Sequence, residues 1–143
     1  MDERERFEEL LGILDELAEL NATTPIVVEG ARDVASLRAL GLRGEIHPLH
    51  AGEPLFQVAE RLATATREVV LLTDWDRKGE LLFDQLSAHL SANGVRINRF
   101  YRDRIPGWVR PALKDVESLA GYVRKGLERF HATTLEERAS RAT

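Results

Sequence analysis

Apolar residues recur over the first twenty positions at three- and four-residue steps: Phe7, Leu10, Leu11, Leu14, Leu17 and Leu20. That spacing predicts an amphipathic helix with one apolar face. Residues 21–24 break it, and after Pro25 comes an unbroken burst, Ile26-Val27-Val28, whose β-branched side chains favour a buried strand. The strand ends at Glu29-Gly30. A helix follows, with Asp33 able to cap its first turn, Val34, Leu37 and Leu40 on one face, and Gly41 as its left-handed stop. Glu45-Ile46-His47 makes a weaker second strand. Pro54 then opens another helix through Leu55, Val58, Ala59 and Leu62. Val69-Val70-Leu71-Leu72 is the clearest strand and runs into Thr73-Asp74-Trp75-Asp76-Arg77-Lys78-Gly79. Leu82, Leu86, His89 and Leu90 mark a third helix of this region, ending at Asn93-Gly94, and residues 95–98 make a fourth strand.

Short apolar strands alternating with helices predict an α/β fold: a parallel sheet of about four strands, covered on both faces and joined by right-handed crossovers. Beyond Arg99 the pattern changes to an arginine-rich, proline-containing connection. A last helix is expected from about Asp115 to Phe130, and the tail after Thr133 is polar and expected to fray.

The chain has 143 residues, 43% of them apolar, which suits one domain. Cysteine is absent, which excludes disulfides, thiolate metal sites and cysteine nucleophiles. The N-terminus is charged where a signal peptide needs an apolar core, and no apolar run is long enough to span a bilayer, so a cytoplasmic protein with no membrane partner is expected. A net charge of -4 argues against coating nucleic acid through bulk positive charge, so any contact must be local. Of 20 basic residues 17 are arginine, which suits planar phosphate recognition but also follows from genome composition.

In a doubly wound sheet, ligands sit beyond the carboxyl ends of the strands where strand order reverses. Glu29 and Asp74 both stand at such ends. If the first and third strands are neighbours, these residues meet and Asp76 joins them from the turn. Crowded carboxylates repel unless a cation compensates them, and magnesium, a hard ion content with few carboxylates plus water and phosphate, suits the set. A lone Asp-x-Asp after a strand is commonly a capped turn. A second strand ending in a carboxylate followed by glycine is costly for folding alone, and that shifts the balance toward a site.

Glu29-Gly30-Ala31-Arg32-Asp33 and Asp74-Trp75-Asp76-Arg77-Lys78-Gly79 resemble the two motifs of the Toprim family, the catalytic domain shared by primases, type IA and type II topoisomerases, certain nucleases, ribosomal-RNA maturases and recombination mediators. The resemblance covers roughly residues 25–101 and is greatest toward the small single-domain archaeal members. It implies a Rossmann-like Toprim fold, with residues 1–24 as an N-terminal helix, 25–103 as the Toprim domain and 104–143 as a C-terminal helical extension. It also implies roles. Glu29 would bind one metal and act as general base or acid, Asp74 would bridge two metals, and Asp76 would bind the second. The ions would be magnesium, with manganese able to substitute. Gly30 and Gly79 would keep side chains clear of phosphate. Lys78 and Arg77 can help hold it, the competing reading for both being a solvated first helical turn. Asp33 has a family counterpart but is read here chiefly as a helix cap. Topoisomerases of the family carry a third acidic residue where this chain has Lys78, which puts metal occupancy in question.

Arg96, Arg99, Arg102, Arg104 and Arg110 interleave with Phe100, Tyr101 and Trp108. Arginines contact phosphate and aromatics stack on bases, so Arg99, Arg102 and Arg104 are candidate substrate contacts. The competing reading pins the last helix to the sheet through these aromatics, with Phe100 in the core. Lys114-Asp115-Val116-Glu117 is expected to start that helix, with a role at the site as the alternative. His47, His50, His89 and His131 lack ligand spacing on one helix face; His89 reads as an ordinary helical residue, and His47, near a strand end, as one that can approach the site.

The function expected is magnesium-dependent hydrolysis or transfer at RNA or DNA phosphodiesters, of nuclease or RNA-processing type. The alternative is a non-catalytic Toprim module that binds nucleic acid or a protein partner. Topoisomerase activity is not expected, because the family places its tyrosine nucleophile in another domain, and neither is primase activity alone, whose usual zinc module needs cysteines. A haloacid-dehalogenase reading fails because that family's aspartate pair follows its first strand, whereas here the pair follows the third. The N-terminal helix can pack on its own sheet or on a second subunit.

Overall fold

The computed structural model describes residues 1–109 and 113–131. Four strands, β1 (Ile26–Val28), β2 (Ile46–Pro48), β3 (Glu68–Leu71) and β4 (Arg96–Asn98), form one sheet in the order β2-β1-β3-β4. Every pairing is parallel, with Ile26 opposite Ile46 and Val70, and Val69 opposite Ile97. The order reverses between β1 and β3, so the switch point lies between the two strands that end in carboxylates.

Successive side chains of a strand point to opposite faces, and both faces are covered. Ile26, Val28 and Val70 join one core with Phe7, Leu10, Leu14 and Leu17 of α1 (Glu3–Asn21) and Leu37 of α2 (Ala31–Ala39). Val27, Val69 and Leu71 join the other, with Val58 and Leu62 of α3 (Leu55–Ala65) and Phe83, Leu86 and Leu90 of α4 (Arg77–Ala92). The N-terminal helix therefore lies on its own sheet. Gly41 sits at φ 96, the left-handed stop its position after α2 predicted.

The arginine-rich connection is helical, forming α5 (Phe100–Arg104) and α6 (Pro106–Val109). This reverses the expectation for Phe100. Helical period turns Tyr101, Arg102 and Ile105 inward, leaving Phe100 43% exposed against Tyr101 at 7%. Trp108 packs against the α1 core, its indole Nε1 buried and without a hydrogen-bond partner among the described residues.

The last helix, α7 (Leu119–Gly126), begins four residues later than expected and ends in a π-helical turn, Leu127–His131. The reason is where the backbone of residues 114–116 goes. The Lys114 carbonyl accepts from Trp75 N–H at 2.8 Å, and Val116 N–H donates to Asp74 Oδ1 at 2.9 Å. These contacts hold residues 114–116 against the β3 end in a non-helical course. Asp115 then caps the following turn by accepting from Ser118 N–H. Arg110, the His131 side chain and the tail after Thr133 lie outside the described residues.

Candidate metal centre

Two strand ends bring the first carboxylates together. Beyond the last ladder bond of β1 and β3, Leu72 N–H to Val27 O at 2.9 Å, the chains continue side by side, and Asp74 N–H donates to Glu29 Oε2 at 2.7 Å. Residues 45 positions apart in sequence thus meet in direct contact. Asp74 in turn is held by Val116 N–H. Each carboxylate is oriented by a backbone donor from another segment.

Burial pushes the Asp74 carboxyl up from 3.8 to about 6, opposed by the Val116 hydrogen bond and reinforced by the adjacent Glu29, with which it shares a hydrogen bond, and by Asp76. Asp33, only 6% exposed, is likewise raised to about 6 by burial and then by Asp74, while its hydrogen bond from Gly30 N–H opposes the rise. Asp115 and Glu117 add smaller repulsion from the C-terminal segment. Three pieces of chain therefore contribute acid to one place. Sequence reading placed Asp33 correctly as a cap, since its carboxylate accepts from Gly30 at 3.0 Å, but burial makes it part of this cluster as well.

Asp76 stands apart from the pair. It is the N-cap of α4, and its Oδ1 accepts from Gly79 N–H at 2.7 Å. Among the described residues, no three acidic or imidazole side chains gather closely enough to hold a metal ion together. The donor set nonetheless suits magnesium, which binds through one or two carboxylates and leaves its other positions to water and phosphate. Glu29 and Asp74 supply such a pair, and a divalent cation would offset the cost of ionising Asp74 where it is buried beside Glu29.

Below the pair, Arg102 builds the floor. It is 3% exposed, and its Nε donates to Thr73 O at 3.1 Å and Thr73 Oγ1 at 3.0 Å, while Nη2 donates to Asp74 O at 2.8 Å and Glu80 Oε1 at 3.0 Å. Its guanidinium also lies over the Phe83 ring. The substrate-contact expectation for Arg102 is thereby corrected: the side chain is spent on the backbone that aims Asp74. Arg99 is paired with Asp103 at 2.8 Å, and Arg104 rests over Phe100 at the surface. Arg96 pairs with Glu68 at 2.7 Å.

Gly79 is required for a reason the sequence did not show. A Cβ there would overlap the Asp74 carbonyl, so the glycine lets the first turn of α4 close against the site. At Gly30 a Cβ would meet open space. Arg77 and Lys78 are both exposed on the first turn of α4, and Lys78 has no hydrogen-bond or ion-pair partner among the described residues. His47 is turned to Glu45, 3.0 Å away, and does not approach the carboxylates. The histidine that comes near is His50, which with Glu29, Lys78, Leu49, Leu55 and Leu82 lines an open cleft of ≈ 480 Å³ beside the pair.

The family model of the Toprim domain matches residues 24–101, which hold both strand ends and the whole of the sheet. The chain belongs to the Toprim family. Its relatives include a UPF0292 protein of Methanosarcina barkeri, 41% identical over 121 residues that make up 85% of this chain and 82% of that protein. A UPF0292 protein of Methanocaldococcus jannaschii is 37% identical over 124 residues, 86% of this chain and 96% of its own. One from Pyrococcus horikoshii is 39% identical over 115 residues, 80% and 84%. Among solved structures, a putative protein from Aquifex aeolicus shares the Toprim chain's fold with a TM-score of 0.66 at 23% identity, covering 75% of this chain and 94% of that one. Membership points to a metal-binding, nucleic-acid-related function. Among the described residues, no helix of this Toprim protein is long and apolar enough to cross a membrane.

Proposed function

We propose that the protein is a magnesium-dependent phosphodiesterase of nucleic acid, of nuclease or RNA-processing type. One observation carries the reading: Glu29 and Asp74 touch at the ends of adjacent parallel strands, at the switch point, where burial, reinforced by Glu29, raises Asp74 to about 6. Magnesium, with manganese as substitute, would be held by Glu29 and Asp74, with Asp76 joining if its cap on Gly79 opens. When bound, it supplies Lewis acidity to phosphoryl oxygens and an activated oxygen nucleophile.

The residues of the chain do the rest. Asp74 N–H fixes the Glu29 carboxylate, which is the group in reach to take or return the proton of the attacking hydroxyl. Val116 N–H and the Arg102-braced backbone fix Asp74. Lys78 offers its ammonium to the phosphate, and the N-terminus of α4 adds its dipole on the same side. Arg77 can assist from the adjoining position.

A non-catalytic module is the second reading, and a specific observation favours it. Among the described residues no three acidic or imidazole side chains gather closely enough to hold an ion, and Asp76 is turned to Gly79 N–H, whereas two-ion chemistry uses more ligands than one touching pair. Magnesium titration of the wild type, Glu29→Gln and Asp74→Asn, followed by thermal melting, tests the metal site. At an ion concentration of about 100 times Kd, the wild type should gain about 2.7 kcal/mol and the variants much less. Equal responses in all three would remove the site. Incubation with structured RNA, single-stranded DNA and duplex DNA in magnesium or manganese then separates the readings: cleavage supports the enzyme, and binding without cleavage supports the module.

A further inference from the structure

Glu29 belongs to two features at once. It is one of the two touching carboxylates, and it forms the inner wall of the ≈ 480 Å³ cleft. A group lodged in that cleft therefore lies next to whatever the carboxylates act on. The cleft is bounded by the loop after β2 on one side and the first turns of α3 and α4 on the other. Its volume falls within the roughly 300–1,000 Å³ that small-ligand sites span.

Its lining is apolar, basic and acidic, the acids being Glu29 and Glu53. Leu49 and Leu55 rest on the core between α3, α4 and the sheet, and Leu82 completes an apolar surface. Lys78 brings an ammonium with no partner among the described residues, and His50 an exposed imidazole. The loop is built rather than loose. Leu49 N–H donates to Val28 O at 3.0 Å, extending the β1–β2 ladder, and Glu53 N–H donates to His50 O at 3.1 Å across a turn whose Gly52 sits at φ 84. Glu53 is neutralised by Arg61, 2.9 Å away, so the cation at Lys78 is not cancelled from the opposite rim.

A partly apolar cleft beside an imidazole, with a cation on its wall and the proposed phosphate seat adjoining, suits one nucleotide: base against Leu55, Leu82 and His50, phosphate toward Lys78. A base stacked and paired in a duplex cannot enter such a slot without first leaving the helix, which costs unstacking and unpairing energy. We infer that this cleft receives an unpaired nucleotide and that the substrate is single-stranded or carries an unpaired end next to the phosphodiester. The inference rests on the phosphodiesterase reading and deepens it by naming the substrate class.

Fluorescence anisotropy with one labelled oligonucleotide, as single strand and annealed to its complement, in RNA and DNA form and with magnesium, provides the test. The single strand should bind at least about tenfold tighter than the duplex, the size of effect one base–aromatic contact gives. His50→Ala and Leu82→Gln should each weaken single-strand binding by roughly tenfold. The magnesium-induced rise in melting temperature should persist in both. His50 is an exposed loop residue whose replacement leaves the core intact, so a misfolded Leu82→Gln protein would not block the test. Equal affinity for single strand and duplex, or unchanged single-strand binding in both variants, would overturn the inference while the magnesium response keeps the metal site. Selective single-strand binding without any magnesium response would keep the cleft and sink the metal centre instead.

Discussion

Replacing the candidate metal ligand Asp74 by asparagine should stabilise the metal-free protein. Asparagine keeps the shape and an Oδ1 acceptor for Val116 N–H, so the 2.9 Å hydrogen bond survives while the charge is lost. The charge is what costs. A carboxyl raised from 3.8 to about 6 makes its ionised form at pH 7 unfavourable by about 3 kcal/mol at 1.36 kcal/mol per pH unit. Asp74 is only half-buried, so solvent screening reduces this to about 1–2 kcal/mol. For a chain of this length that is on the order of 3–6 °C in melting temperature. The sign follows from linkage. A folded-state value above the unfolded one contributes stability that is fully present below about 3.8 and lost as pH rises through about 6. Melting in the presence of a chelator should therefore show wild type and Asp74→Asn together at pH 4 and apart by pH 7, with the variant higher. Part of the fall remains in the variant because Asp33 is raised to about 6 for its own reason, burial. A variant that melts at or below wild type at pH 7, or two pH curves that run parallel, would refute the claim that a costly, partly buried charge sits at Asp74.

Two further substitutions probe the scaffold. Arg102→Met keeps the apolar stem but strands Thr73 O and Asp74 O, so a loss of about 3 kcal/mol in urea unfolding is expected, together with a weakened magnesium response; near-wild-type stability with selective loss of nucleic-acid binding would make Arg102 a substrate contact after all. Gly79→Ala drives a methyl into the Asp74 carbonyl and should cost about 2–3 kcal/mol, read by the same assay, and an unchanged unfolding midpoint would show that α4 moves aside freely.

Hydrophobic periodicity alone placed the four strands, the helices between them and the positions of Glu29 and Asp74 at strand ends. This worked because burying a parallel sheet on both faces imposes continuous apolar runs, and such runs are local in sequence. The motif residues were legible for the same reason: each sits immediately after a strand. Asp33 was legible as a cap because its partner, Gly30 N–H, is three residues away.

What the pattern could not hold is which distant groups meet. That Phe100 faces solvent and Tyr101 the core depends on a helix, α5, too short to show a period. Arg102 looks like its neighbours in sequence, and only the packing of α5 against the end of β3 turns it inward to brace Thr73 and Asp74. The backbone of residues 114–116 reaches the site through Trp75 and Asp74, some forty positions earlier, and this delays the start of α7. Hydrogen bonds between main chain and remote partners leave no periodic trace, since any residue type supplies the same N–H and C=O. Local chemistry therefore announced the acids and set Asp33 and Asp76 as caps, and tertiary contacts decided how Glu29 and Asp74 are aimed.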